Sequence, residues 1–117
     1  MITASIVTYS KKNILKNLDL KYKILINCVD YLAKSKLISQ ILIVDNSKKD
    51  FFSDLKSISS KVIYKHMNGS NLGYGKAHNL SRKFLKLEKY HLILNPDIVF
   101  YNNNCLEYLF KYMNANL

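Results

Sequence analysis

Leu92-Ile93-Leu94-Asn95-Pro96-Asp97 decides the fold: a short apolar run breaks off in an Asn-Pro turn that delivers a carboxylate. In open α/β sheets ligands gather outside the carboxyl ends of the strands, so an acid at that point is placed to serve a metal or a phosphate. The pattern occurs twice upstream. Ile41-Leu42-Ile43-Val44 runs into Asp45-Asn46-Ser47, and the stretch from Ile2 to Val7 runs into Thr8-Tyr9-Ser10. Three apolar strands therefore end in polar groups that can share one crevice.

Helical spacing fills the intervals between these runs. Leu20, Ile24, Leu25, Cys28, Val29 and Leu32 recur on one helix face, and Phe51, Phe52, Leu55 and Ile58 mark a short helix that Asp50 would cap. Val62-Ile63-Tyr64 is a further strand and Gly69 to Tyr74 a loop. Ala77, Leu80, Phe84, Leu85 and Leu87 stripe a third helix ending near Glu88, Tyr90 to Leu94 form the fourth strand, and Leu106, Leu109, Phe110 and Met113 stripe a last helix. Strands alternating with helices predict a parallel sheet with right-handed crossovers. Without a Pro- or Gly-rich linker, residues 1–117 read as one domain.

A hydrophobic fraction of 49% is ample for a core and excludes a disordered tail. Apolar runs stop far short of the roughly 20 residues that span a bilayer, and Met1-Ile2-Thr3 does not open a signal peptide, so the chain reads as cytoplasmic. Cys28 and Cys105 then read as two reduced, buried thiols. The formal charge of +10 favours anionic partners, but the lysines (Lys11-Lys12, Lys21, Lys23, Lys34, Lys36, Lys48-Lys49, Lys86) are spread along the chain. A solvated surface and contact with the anionic inner face of the membrane both fit. Nucleic acid is not expected, since neither an RNA-binding aromatic motif nor zinc-finger spacing is present.

Gly69-Ser70-Asn71-Leu72-Gly73-Tyr74-Gly75-Lys76 fails both phosphate-loop patterns. A Walker A loop needs Gly where Ser70 stands and a hydroxyl where Ala77 stands. A dinucleotide fingerprint starting at Gly73 needs Gly in place of His78. What remains is a glycine loop that lets backbone approach a ligand ahead of a helix. His66 and His91 lack metal-ligand spacing and read as structural, whereas His78 sits where it would reach a phosphate.

Taken in order, Ser5-Ile6-Val7-Thr8-Tyr9, Ile43-Val44-Asp45-Asn46-Ser47, Asn71-Leu72-Gly73 with Asn79, and Leu94-Asn95-Pro96-Asp97 resemble the N-terminal half of inverting family 2 glycosyltransferases, closest to their rhamnosyltransferase-like branch. The resemblance implies a Rossmann-like GT-A half-domain with strand order 3-2-1-4 and helices on both faces. It also implies a donor site for a UDP- or dTDP-linked sugar, used in bacterial surface polysaccharide synthesis with a saccharide or lipid-linked acceptor. By the same resemblance, Thr8, Tyr9 and Asn46 would lie against the nucleotide and Asp45 would accept the imide N–H of the base. Gly73 would let backbone pass close to the nucleotide, with Asn79 supporting the loop and Lys76 near the diphosphate. Asn95 and Asp97 stand where the family has Asp-x-Asp, with Asp97 the ligand of a divalent cation, Mn or Mg. Asn95 replaces the first acid, a version familiar in this branch.

Family members run about twice this length and take their general base from the second half, so the isolated chain is expected to bind a donor without transferring sugar. A non-catalytic α/β nucleotide-binding or interaction module is the rival reading. A phosphoacceptor receiver domain is disfavoured because the first strand ends in Thr8-Tyr9 rather than in paired acids. The fourth strand forms an open apolar edge, and with the final helix it predicts a homo-oligomer.

Overall fold

Near-continuous burial of the central strands marks a sheet with two packed faces. The computed structural model describes residues 1–11, 19–70 and 72–117. Lys12 and Asn71, used in the charge and loop readings above, lie outside the described residues. Strands β1 (Ile2–Thr8), β2 (Ile38–Asp45), β3 (Val62–His66) and β4 (Tyr90–Leu94) form a parallel sheet in the order β3-β2-β1-β4. The architecture is the α/β, Rossmann-like half-domain with order 3-2-1-4 that the sequence predicts.

Ile2, Ala4, Ile6, Ile41 and Ile43 point to one face, which α1 (Leu20–Lys34) and α4 (Cys105–Ala115) cover with Leu25, Cys28, Val29, Leu32 and Leu106. Leu42 and Val44 point to the other face, where Ala77 and Leu85 pack from α2 (Tyr74–Asn79) and just beyond α3 (Ser81–Phe84). Helices thus lie on both faces, and the Thr8↔Asp45 and Ile6↔Leu94 registers bring the carboxyl ends of β1, β2 and β4 to one side of the molecule.

Asp19 starts α1, its Oδ1 accepting the Tyr22 N–H at 3.1 Å, a cap that contributes about 1 kcal/mol. Leu20, counted into the stripe from sequence, is exposed, while Tyr22 is buried in its stead and its hydroxyl donates to Asp54. The segment after β2 is a 3-10 helix, Ser53–Ser57, rather than an α-helix. Asp50 does not cap it by side chain; its backbone carbonyl accepts the Ser53 N–H instead.

The expected third helix breaks at Leu80, whose N–H bonds back to Ala77 in a tight turn. The second piece ends at Phe84 rather than near Glu88, so Leu87 lies beyond the helix and is exposed. Both cysteines are free; Cys28 is buried and its thiol is pushed up to about 11 by that burial, whereas Cys105 is only half-buried. Among the described residues no helix is long and apolar enough to cross a membrane.

Thr3 and Ser5 face inward on β1 and are fully buried, which the apolar reading of that strand missed. They are matched by histidine. Ser5 Oγ lies 2.6 Å from His78 Nδ1 and 2.8 Å from His91 Nε2, and Thr3 Oγ1 lies 2.8 Å from His91 Nδ1. Burial lowers the pKa of both rings, and His91 lowers that of His78 further, so the cluster is neutral at pH 7.

Candidate functional site

Ser47 makes four of the hydrogen bonds that hold the carboxyl end of β2. Its N–H donates to Asp45 Oδ1 at 2.9 Å and its Oγ accepts the Ser10 N–H at 2.8 Å. Its carbonyl accepts from Gly69 N–H at 3.0 Å and from His66 Nε2 at 2.8 Å, so that nitrogen carries the imidazole proton. The ends of β1, β2 and β3 are thereby tied into one rim.

Asp45 sits at the centre of that rim and is 0% exposed. Besides the Ser47 N–H on Oδ1, its Oδ2 accepts the Tyr64 hydroxyl at 2.5 Å. Burial and the Asp45 carboxylate raise the Tyr64 pKa, so the phenol remains a donor. Thr8 and Asn46 adjoin Asp45: the Asn46 N–H donates to the Thr8 carbonyl at 3.0 Å, and buried Asn46 Oδ1 has no hydrogen-bond partner among the described residues. A buried acceptor left open at a strand end is uncommon in native structures.

Beside this rim lies a cavity of about 420 Å³ lined by Tyr9, Ser10, Lys11, Lys48, Lys49 and Phe51. Of these, sequence reasoning assigned only Tyr9 to the donor site. The signal for the rest is positional. Lys11 follows Thr8 and Lys48 follows Asp45 by the same offset, and Thr8 pairs with Asp45 in the parallel ladder, so the two ammonium groups leave adjacent strands side by side. Three cations and two aromatic rings around one cavity suit an anion that carries a planar group.

The second cluster lies at the end of β4. Asn95 and Asp97 are exposed, and Asn95 Oδ1 accepts the Tyr74 hydroxyl at 3.0 Å, which joins the turn to the start of α2. Gly73 precedes that helix with φ 76°, in the left-handed region that favours glycine, and nothing described lies within 4 Å of where a Cβ would stand. Open space above this backbone leaves room for close approach.

Lys76 and Asn79 are exposed on α2. His78, expected near a phosphate, is 4% exposed, turned to Ser5 and covered edge-on by the Tyr74 ring. The structure thus groups Thr8, Tyr9, Asp45 and Asn46 at one rim and Gly73, Asn95 and Asp97 at another.

Among the described residues no group of three His, Cys, Asp or Glu is placed to hold a metal. Asp97 is an exposed carboxylate two residues past Asn95, which is exposed as well. Such a set fits Mg or Mn only where phosphate oxygens and water complete the coordination, a common mode for both ions. Compared with known proteins, the chain matches no family model and no curated sequence.

Proposed function

We propose that the chain is the donor-binding part of an inverting family 2 glycosyltransferase, taking a UDP- or dTDP-linked sugar with a divalent cation for bacterial surface polysaccharide synthesis. The observation that carries this reading is the lysine- and aromatic-lined cavity beside Asp45 and Asn46, at the carboxyl ends of two parallel strands. Tyr9 and Phe51 offer faces for a base, and Lys11, Lys48 and Lys49 offer charge for the diphosphate. Asp97, with Asn95, would hold the cation, which supplies Lewis-acid assistance to the departing nucleoside diphosphate.

In the transfer an acceptor hydroxyl forms its bond to the anomeric carbon as the bond to the diphosphate breaks, with inversion. This chain's residues bind and orient the donor; Asp45 and Asp54 do not offer a general base. Asp45 is buried and doubly hydrogen-bonded, and Asp54 is engaged by Tyr22. A thermal-shift series with UDP-, dTDP- and GDP-sugars, with and without manganese, tests the reading. Stabilisation by the pyrimidine nucleotides is expected, and no response to any of them would reject it.

The open edge of the sheet supports a homo-oligomer. β4 is an edge strand, Ile93 is 53% exposed on it, and Leu109 and Met113 of α4 are exposed nearby in sequence pattern. Leu106 is not part of this patch, being fully buried under the sheet. Leu92 packs against the core, so Ile93→Lys is the clean test. Light scattering should show a dimer or larger species that Ile93→Lys converts to monomer; a wild-type monomer at high concentration would refute the assembly.

A further inference from the structure

We infer that Tyr64 is a specificity-determining residue of the donor pocket: its hydroxyl occupies the place on Asp45 Oδ2 that an imide N–H of the base takes on binding. The inference rests on the nucleotide-binding reading above and adds a competitor within the protein. The Asp45 carboxylate has no exposed surface and already holds two donors, so a base that reaches it through this pocket displaces one of them.

The two groups differ in how they can leave. On Oδ1 sits the backbone N–H of Ser47, whose other hydrogen bonds tie three strand ends together; its departure would dismantle the rim. On Oδ2 sits a side-chain hydroxyl at 2.5 Å, carried by a half-buried ring on β3 whose departure breaks no backbone hydrogen bond. Oδ2 is therefore the exchangeable position.

Exchange imposes a selection rule. A buried carboxylate that loses a donor without gaining another is strongly disfavoured, so Tyr64 yields only to a ligand that brings its own donor. Uracil and thymine present an N3–H. Held in the same pose, cytosine points a lone pair at N3 toward the carboxylate and leaves Tyr64 in place, and its N4 amino donor would reach Oδ2 only from a shifted pose. The latch thus disfavours cytidine nucleotides in the pose that uridine and thymidine nucleotides take.

The test is calorimetry of UDP and CDP on the wild-type chain and on Tyr64→Phe, which removes the competing hydroxyl and little else. Tyr64→Phe should bind UDP about tenfold more tightly, the equivalent of one lost competing hydrogen bond, with CDP binding unchanged and weak. UDP affinity that is unchanged or reduced in Tyr64→Phe would overturn the inference even where wild-type binding upholds the nucleotide reading. Absence of UDP binding by the wild type would remove both.

A measurement on the unmodified protein covers the case in which Tyr64→Phe does not fold. The Tyr64 hydroxyl proton, held against a buried carboxylate, should give a downfield NMR resonance that UDP abolishes and CDP leaves. Its persistence at saturating UDP would overturn the proposal. Tyr22, whose hydroxyl donates to Asp54 at the same 2.5 Å, serves as the unaffected control.

Discussion

Asp45→Ala should destabilise the chain by about 2–4 kcal/mol, read as a lower denaturant midpoint at unchanged slope. The substitution strips the acceptor from the buried Ser47 N–H and from the Tyr64 hydroxyl at once, and each orphaned donor costs about 1–3 kcal/mol. Asp45→Asn keeps one carbonyl oxygen and the shape of the side chain, so its loss should be about half as large. These values are a large part of the total for a domain of this size. A wild-type midpoint in Asp45→Ala would mean that the rim at the end of β2 does not depend on this carboxylate.

Acid should weaken the fold through the paired histidines. His78 and His91 have pKa values lowered by burial, so the folded state excludes protons that the unfolded chain binds. Their contribution is fully present above the unfolded value of about 6.5 and is lost as pH falls from there toward the lowered folded values. For His78, 4% exposed, the slope below the unfolded value is at most about 1.4 kcal/mol per pH unit; half-buried His91 adds less. The window from about pH 6.5 to 5 lies above the ordinary carboxylate range. Denaturation across it should show a clear fall in wild type and a flatter one in His78→Asn, while equal slopes would show that the Ser5 cluster does not control acid stability.

Much of the fold was legible because buried strands and helix stripes differ in period. Tyr90 to Leu94 appears with its predicted bounds, and the strand order is the one the family resemblance implies. Other boundaries were hidden where polar residues extend a strand. Ser39 and Gln40 lie in β2, and Lys65 and His66 lie in β3, because ladder hydrogen bonds continue past the apolar run. The break at Leu80 was invisible for the opposite reason: Ala77, Leu80 and Phe84 keep helical spacing across it, and all three pack on the same cluster.

The candidate site was legible at Asp45 and Asp97, where a carboxylate ends an apolar run, and less so around them. Tyr64 and Asp45 meet across neighbouring strands, a contact that needs the β2–β3 register. The Ser5, His78 and His91 cluster joins three elements far apart in sequence. Lys11 and Lys48 looked like dispersed surface charge until the Thr8↔Asp45 pairing placed them together.

Calorimetric titration of UDP into the chain, with and without manganese, tests the central claim most directly when run on wild type beside Asp97→Ala. Asp97 is exposed, so its removal should spare the fold. The account predicts that wild type binds UDP more tightly with manganese, that Asp97→Ala binds it equally with and without the ion, and that Asp45→Asn binds it weakly in both. Wild-type heats indistinguishable from dilution, or equal affinities in all three proteins under both conditions, would contradict it.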